Sequence, residues 1–543
     1  MKQFFKFMFA SMLGFFISVA ILFFIFLGIV ASIASFADKE EVIVKNNTIL
    51  HLQLTEEIVD RTPNNPMESF NFSSFKPEMA IGLNDILGNL EKAASDEKIS
   101  GIFLDLSSIR AGISTLAEIR DGIKEFKKSG KFVIAYAEYY SQGSYYLASV
   151  ADQVFMNPVG SLDFRGINSE IMFYKNMLEK LGVEVQIIRH GKFKSAGEAF
   201  FLDKMSDENK EQTLAFIGAI WNDIIKDISE SRSIAANQLN EYADKYESRR
   251  PEKALELNFI DGIRHRDEVI NLLKEKTGTA ADSDPILLSI NKYSKAKTPV
   301  EKKPRSRNKI AVVYASGEIT SGEGSDRVIG SARIAEAIKQ ARCDTSVKAI
   351  VLRVNSPGGS ALASDVILRE VILAKQSKPV VASMGDVAAS GGYYISCMAD
   401  KIIASPTTIT GSIGVFGLIP NMKGFFNSKI GITFDNVKTN EMADFSSVSR
   451  PLTPTEKLII QDEIDNIYNT FVTHVSNGRN LTVDQVDEIA QGRVWSGTEA
   501  KQIGLIDEFG GLTDAIQVAV GLAKLDNYRI VEFPKRKDFF QQF

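Results

Sequence analysis

The residue in this chain best placed for chemistry is Ser390. It lies in "GDVAASGGYYISCMAD", residues 385–400, between small residues and two glycines, ahead of an apolar run of helical character. A serine so placed can act as a nucleophile if a neighbouring group takes its proton. Histidine is the usual base, yet the chain has four histidines and none lies within 70 residues of Ser390. Two glycine turns bear on the same question. "NSPGGS" (355–360) follows the apolar run "AIVLRV" and precedes a helical pattern, while Gly391-Gly392 follows Ser390 directly. Glycine lets the backbone approach a substrate closely and turn its N–H groups toward it. Two converging N–H groups are what the oxyanion of an acyl-transfer intermediate requires. The N–H after a serine at a strand-to-helix turn is a natural donor. The plainer reading is that Ser390 caps the following helix and that the glycines only make turns.

These residues sit in a chain of 543 residues, long enough for several domains and, at 44% hydrophobic and 24% charged, able to bury large cores. The net charge of −5 gives no electrostatic footprint for nucleic acid. Two cysteines, Cys343 and Cys397, make neither a disulfide framework nor a metal cluster, and both are expected as buried thiols. No metal or other cofactor is called for. The N-terminus reads as a membrane anchor over residues 1–40. From Phe7 to Ala37 no charge interrupts the apolar run, more than the roughly 20 residues that span a bilayer. Secretory signals have apolar regions of about 7–15 residues, so an uncleaved anchor is expected. Lys2 and Lys6 precede the run and Asp38, Glu40 and Glu41 follow it. The positive-inside rule then places the start in the cytoplasm and the remainder outside it.

Beyond the anchor the chain contains itself twice. "ISGIFLDLSSIRAG" parallels "VKAIVLRVNSPGGS", and "KFVIAYAEYYSQGSYYLASVADQVFMNP" parallels "PVVASMGDVAASGGYYISCMADKIIASP" at an offset of 248. "PEKALELNFIDGI" parallels "GTEAKQIGLIDEF" near the two ends. A duplicated unit follows, with repeats at 46–290 and 310–543 and a basic linker, 291–309, between them. Within each repeat, short Val- and Ile-rich runs alternate with amphipathic segments such as "ASDVILREVILAKQ", whose apolar stripe is read at Val366, Ile367, Val371 and Ala374. That alternation implies parallel βαβ units in an α/β fold. At the offset of 248, Ser390 falls on Gln142 and "SPGGS" on "SIRAG". The first repeat therefore lacks the hydroxyl and the Pro-Gly-Gly turn.

"NSPGGS", "AASGGYY" and "GSIGVFG" (411–417), in this order behind an anchor and a duplication, resemble the signal peptide peptidase A family in its long, two-repeat form. The resemblance implies tandem domains of the Clp-protease/crotonase type, built as ββα superhelices. It also implies a Ser/Lys dyad. The family pattern of an aromatic followed by Lys-Ser-Ala matches "HGKFKSAG" at Lys194 rather than at Lys192, which precedes the aromatic Phe193. The resemblance further assigns the oxyanion donors to Gly359 and Gly391, a supporting hydroxyl to Ser412, and a homotetrameric assembly. It implies degradation of cleaved signal peptides and similar hydrophobic peptides at the inner membrane, on its periplasmic or extracytoplasmic side.

The second repeat can be checked for the same lysine. Gly182 in "KLGVEV" aligns with Gly431 in "KIGITF" at an offset of 249, which places Lys194 on Ala443. One repeat thus has the lysine without the serine and the other the serine without the lysine. A free lysine, with a pKa of about 10.4, cannot accept a proton at neutral pH, whereas burial can bring it to about 7–8. His190, four residues before Lys194, is the rival base and has no evident acid to orient it. Two other functions fit parts of the pattern. A crotonase-type acyl-thioester enzyme would use the paired N–H groups without Ser390, and a non-catalytic membrane scaffold would need neither residue.

Overall fold

The computed structural model describes residues 2–36, 42–63, 70–71, 76–77, 80–296 and 306–536. Helix α1, Lys2–Phe36, carries a 23-residue window, Gln3–Ile25, of mean hydropathy 2.5 with none of it buried against protein. It is long and apolar enough to cross a membrane. Residues 37–41, between α1 and the first repeat, lie outside the described residues.

The first repeat is built on a six-stranded parallel sheet. Its long strands are β1 (Thr48–Leu52), β2 (Ile99–Asp105), β3 (Phe132–Tyr140) and β4 (Gln153–Leu162), flanked by short strands at Gly262–Ile263 and Leu287–Ser289. Helix α2 (Gln142–Ala148) follows β3, and helix α3 (Lys175–Leu181) leads into β5 (Glu184–His190), which leaves the sheet. Helix α4, Asp207–Arg232, is the long helix of this repeat.

The second repeat repeats that plan. Strands β6 (Lys309–Ser316), β7 (Val347–Ser356), β8 (Val380–Ala389) and β9 (Ile409–Gly411) pair in that order, and Arg529–Phe533 pairs outside β6. Helix α5 (Ala361–Lys375) follows β7 and helix α6 (Gly391–Ser396) follows β8. Strand β10 (Val415–Asn421) leaves the sheet as β5 does, and helix α7 (Pro454–Arg479) matches α4, each being 26 residues long.

The alternation in sequence becomes burial on two faces. Along β6, Ala311, Val313 and Ala315 enter one core while Ile310, Val312 and Tyr314 enter the other. Both faces of a parallel sheet are covered by its crossover helices, so both are apolar. On α5 the buried stripe runs through Ile367, Leu368, Val371 and Ala374, and Val366 is instead 42% exposed. The expected stripe was one residue out because the 3.6-residue period brings Leu368, not Val366, beside Ile367 and Val371. The linker also differs from expectation. It is docked at its start, where Tyr293 is fully buried and donates to Asp96 Oδ2 at 3.0 Å. Its far end, Lys309, opens β6; residues 297–305 lie outside the described residues.

Of the contacts that fasten the repeats together, a strand pair and a charge cluster bear most on the site. Strands β5 and β10 form an antiparallel ribbon from Glu184↔Asn421 to His190↔Val415, roofed by Ile460 and Ile464 of α7 packed on Ile188. The other is a buried charge cluster. Arg353, fully buried on β7, donates through Nε to Asp60 Oδ1 at 2.7 Å and through Nη2 to Glu118 Oε1 at 2.7 Å, both from the first repeat. Burial pushes both carboxyl groups up. At Asp60, the Arg353 charge and hydrogen bonds from Arg353, Ser316 and Asn355 outweigh burial and hold the group below its usual range. At Glu118 burial prevails and its pKa is raised.

A buried pair tolerates joint replacement far better than loss of one partner. Asp60→Asn, which removes one of the two carboxylates that hold Arg353 and leaves Glu118 as its remaining ionic partner, is expected to cost about 1.5–3 kcal/mol, read as a lower urea midpoint. Replacing all three groups together (Asp60→Asn, Glu118→Gln, Arg353→Met) is expected to recover most of that loss. A triple variant less stable than Asp60→Asn would show that the cluster is not the fastening described.

Candidate active site

Ser390 stands where β8 ends and α6 begins, at φ 53° and ψ −118°. A positive φ at a residue other than glycine costs about 1–3 kcal/mol and persists only where its surroundings impose it. Here the Ser390 N–H donates to Gly411 O of β9 at 2.8 Å, and the Tyr394 N–H donates to Ser390 O at 2.8 Å. The residue occupies the N-cap position, yet its hydroxyl makes no capping bond. That removes the plainer reading of a capping serine. Instead, the hydroxyl lies 3.1 Å from Lys194 Nζ.

Lys194 reaches Ser390 from the other repeat of the same chain. It lies four residues beyond the end of β5, whose pairing with β10 carries the first repeat's chain across to the second. Several groups fix this turn. Phe193 N–H donates to Gln491 O at 2.9 Å. Arg189 Nη1 donates to Lys194 O at 3.0 Å, and Gln212 Nε2 donates to Phe193 O at 3.0 Å and to Ser195 Oγ at 2.9 Å. Gly492 and Gly414 close around the lysine side chain. A methyl group on Gly492 would lie 2.6 Å from Lys194 Cβ, and one on Gly414 would lie 3.2 Å from its Cδ. Sequence reasoning missed these supports. Each lies far along the chain from Lys194 or in an ordinary helix, and no spacing singles them out.

Lys194 is 4% exposed and its amine has three partners: Ser390 Oγ at 3.1 Å, Ser412 Oγ at 3.0 Å and Ser412 O at 3.1 Å. None is a carboxylate. Burial, uncompensated by an opposite charge, brings its pKa down to about 7. In the neutral form its two hydrogens suit the two Ser412 oxygens, leaving the lone pair for the Ser390 hydroxyl proton. Ser412, at φ 50°, is itself held by donating its N–H to Arg493 O at 2.7 Å.

The two glycine turns meet beside this pair. A methyl group on Gly391 would lie 3.2 Å from the Gly359 nitrogen, and one on Gly358 would lie 2.8 Å from Ser390 Cβ. Among the described residues neither the Gly359 nor the Gly391 N–H donates to a protein acceptor. Gly359 has φ 151° and pairs with Ile319, whose carbonyl oxygen would lie 2.1 Å from an added methyl. The structure therefore brings Ser390, Lys194, Ser412, Gly359 and Gly391 together in one chain. That set can take a serine proton, attack a carbonyl and stabilise an oxyanion.

The other candidates fall elsewhere. His190 does have an acid, contrary to expectation. Its Nδ1 lies 2.7 Å from Asp465 Oδ1 and its ring stacks on Tyr468 at 3.8 Å. That position buttresses the ribbon, and Ser390 Oγ is bonded to Lys194 instead. Lys192 is exposed. Cys397 is buried, but Cys343, at the end of a surface helix, is exposed rather than buried as expected. In the first repeat, Gln142 Oε1 accepts from the Arg165 and Gly166 N–H groups at 3.2 and 3.1 Å, filling the position equivalent to Ser390. Ala443, the counterpart of Lys194, is exposed. A cavity of about 890 Å³ lined by Asp60, Arg61, Tyr314, Ser316 and Asn355 includes neither Ser390 nor Lys194. Among the described residues no group of three or more His, Cys, Asp or Glu could hold a metal ion.

Comparison with known proteins follows the same division into repeats. The profile of peptidase family S49 matches residues 125–280 and 372–526, one stretch in each repeat. "Protease 4" of Haemophilus influenzae is 41% identical over 450 residues, covering 81% of this chain and 72% of its own. "Protease 4" of Salmonella typhi is 39% identical over 82% of this chain and 73% of its own. "Serine protease SPPA, chloroplastic" of Arabidopsis thaliana is 35% identical over 81% of this chain and 65% of its own. Among solved structures, a ClpP1 mutant from Listeria monocytogenes matches over 38% of this chain at 16% identity, with a TM-score of 0.26. With both repeats matched and relatives of this identity aligned across most of its length, the chain belongs to peptidase family S49, in a two-repeat form.

Proposed function

We propose that this peptidase is a membrane-anchored serine endopeptidase with a Ser390/Lys194 dyad. The observation that carries the reading is a buried, carboxylate-free amine 3.1 Å from the hydroxyl of a serine held at positive φ. In the proposed cycle, neutral Lys194 takes the Ser390 proton as Oγ attacks the peptide carbonyl. The Gly359 and Gly391 N–H groups receive the oxyanion. The Lys194 ammonium then protonates the leaving amine, and water, deprotonated by the same lysine, releases the acyl group. Ser412 orients the amine throughout.

Cleaved signal peptides and similar hydrophobic peptides are the proposed substrates. Support comes from the Arabidopsis relative, named a serine protease, and from an Enterococcus faecium relative, 36% identical over 36% of this chain, whose name includes signal peptide peptidase. The apolar α1 and the charge asymmetry around it support an anchor in the inner membrane with the repeats on its extracytoplasmic side. A homotetramer is the proposed assembly.

Ser390→Ala and Lys194→Met are each expected to lower turnover of a synthetic signal peptide by about 10⁴-fold or more. A fluorophosphonate probe should label the wild type and not Ser390→Ala. Unchanged turnover in either variant would remove the dyad, and a wild type that neither hydrolyses the peptide nor takes the label would favour a scaffold or thioester chemistry.

The pH dependence follows from the lysine. Activity needs the neutral amine, so kcat/KM should rise with pH through an apparent pKa of about 7. The effect on stability has a defined sign. The folded pKa lies below the unfolded one, so the protonated lysine disfavours the folded state. That penalty is absent above the unfolded pKa, grows as pH falls toward about 7, and is constant below it. Lys194→Met is therefore expected to have a higher Tm than the wild type at pH 6–7, and the gap should close toward pH 10. A lower Tm for Lys194→Met at pH 7 would contradict the buried, unpaired amine.

Gly359→Ala places a methyl group against Ile319 O and should displace the turn. It is expected to lower kcat by about 10²–10³-fold with little change in KM. A fall in kcat/KM that comes through KM alone, with kcat unchanged, would remove Gly359 from the oxyanion site.

A further inference from the structure

The strand that leads to Ser390 is interrupted by a bulge. Between β7 and β8, Val354 pairs with Met384 and Ser356 with Ala388, so Gly385, Asp386 and Val387 stand opposite Asn355 alone. A bulge bends its strand and re-aims a side chain. Asn355 Oδ1 accepts from the Val387 N–H at 3.2 Å, and Gly385 O accepts from Thr408 Oγ1 at 2.8 Å. Beyond the bulge, β8 pairs with β9 from Val387↔Ile409 to Ala389↔Gly411. Ser390 directly follows the one strand and Ser412 the other. Both hydroxyl partners of the Lys194 amine are therefore carried by one short strand pair.

A helix of the first repeat grips that strand pair at its start. Helix Ile113–Lys127 has Gly112 at its N-cap and no capping bond from its own side chains. The cap comes from the second repeat. Thr115 donates through its N–H to Asp386 Oδ1 at 3.0 Å and through Oγ1 to Asp386 Oδ2 at 2.6 Å. A carboxylate suits the positive end of a helix. The approach is close: a methyl group on Gly112 would lie 2.1 Å from Asp386 Cγ. Beside it, Ser114 Oγ lies 2.9 Å from Thr407 Oγ1, two residues before β9, with both side chains buried. At the offset of 248, Gly112, Thr115 and Asp386 correspond to Ser360, Ala363 and Glu138. There the arrangement differs. Ser360 Oγ accepts from the Ala363 N–H at 3.3 Å and caps α5 from within its own repeat, and Glu138 is exposed. The cap that crosses between repeats is made beside the serine and not beside Gln142.

We infer that Asp386 is a positioning residue: by tying the bulge of β8 to the helix at 113–127, it fixes Ser390 and Ser412 relative to the repeat that supplies Lys194. The inference rests on the proposed dyad and names a residue that sets its geometry. Asp386 acts through the strand, since its carboxylate is taken up by Thr115. The same helix holds the other strand of the site. Glu118, one turn further along, binds Arg353 on β7. One helix thus fixes β7 ahead of the glycine turn at 358–359 and β8 ahead of the nucleophile. Ser390 is held at φ 53°, and a backbone so held relaxes when its surroundings loosen. Loss of the tie would move the hydroxyls away from the amine and admit water, which favours the ammonium form. A displacement of about 1 Å is enough to cost roughly 10²-fold in rate.

Kinetics across pH test this in the full-length protein in detergent, with a synthetic signal peptide as substrate. Asp386→Ala is expected to lower kcat by about 10²-fold with little change in KM. It should also move the apparent pKa of kcat/KM upward from about 7. Asp386→Asn keeps both contacts, its amide oxygen accepting from the Thr115 N–H and its amide nitrogen donating to Thr115 Oγ1. It should restore most of kcat and the wild-type profile. Thr115→Val removes only the hydroxyl bond and should shift both readouts the same way by less; it carries the test if Asp386→Ala does not fold. Ile123→Val, in the first repeat's own core on the same helix, should lower Tm without moving the profile. Unchanged kcat and profile in Asp386→Ala and Thr115→Val, with turnover lost in Ser390→Ala and Lys194→Met, would overturn the positioning role and leave the dyad standing. An equal loss in Asp386→Asn would assign the effect to charge rather than to the tie, and an equal profile shift in Ile123→Val would assign it to stability; either result overturns the inference. Full turnover in Ser390→Ala or Lys194→Met would overturn the dyad, and with it the role of Asp386.

Discussion

An amine buried without a carboxylate is the constraint around which the rest of this structure is arranged. Lys194 is surrounded by hydroxyl and carbonyl oxygens, and burial alone sets its proton affinity near neutrality. A carboxylate within reach would restore the charged form and abolish its capacity to accept a proton. Water would do the same by solvating the ammonium. The site must therefore be dry, closely packed and rigid, and the glycines that press on the lysine from Gly414 and Gly492 meet that need.

Dryness explains why the pair is divided between repeats. A groove closed on two sides needs two walls, and here each wall is a copy of the same unit. The β5–β10 ribbon carries the first repeat's turn onto the second, and Arg353, held by Asp60 and Glu118, fixes β7 against the first repeat just before the glycine turn at 358–359. The buried charge cluster adds little net stability by itself, because desolvation offsets much of its attraction. Its effect is on position: Arg353 has directional partners in both repeats, and few relative placements satisfy them all. The pseudo-equivalent positions of Ser390 and Lys194, Gln142 and Ala443, carry neither hydroxyl nor amine. Gln142 now uses its side-chain oxygen to satisfy two backbone N–H groups.

Much of this was legible in the residues. The βαβ plan followed from Val-rich runs alternating with amphipathic segments, since parallel sheets bury both faces and need crossover helices. The repeat was visible because backbone-determined residues, Gly143 with Gly391 and Ala151-Asp152 with Ala399-Asp400, recur at one spacing. Ser390, with its glycine turns, was legible for the same reason: a turn that only small residues tolerate leaves a signature. Lys194 was not legible from spacing alone, and the family resemblance together with its absence at 443 brought it forward. The placing of Val366, of Cys343 and of the start of the linker failed where a decision depended on which neighbour covers a side chain.

By itself the sequence determined which local backbone shapes were possible, that the unit occurs twice, and that one copy has the hydroxyl while the other has the amine. Tertiary structure decided that the two meet at 3.1 Å within one chain, that Ser412 completes the lysine's partners, and that His190 turns away to Asp465. The physical reason is range. Propensity, periodicity and turn chemistry act over a few residues and leave local marks in the chain. Desolvation of an amine 196 residues from its hydroxyl depends on everything packed around both, and no short stretch of sequence contains that.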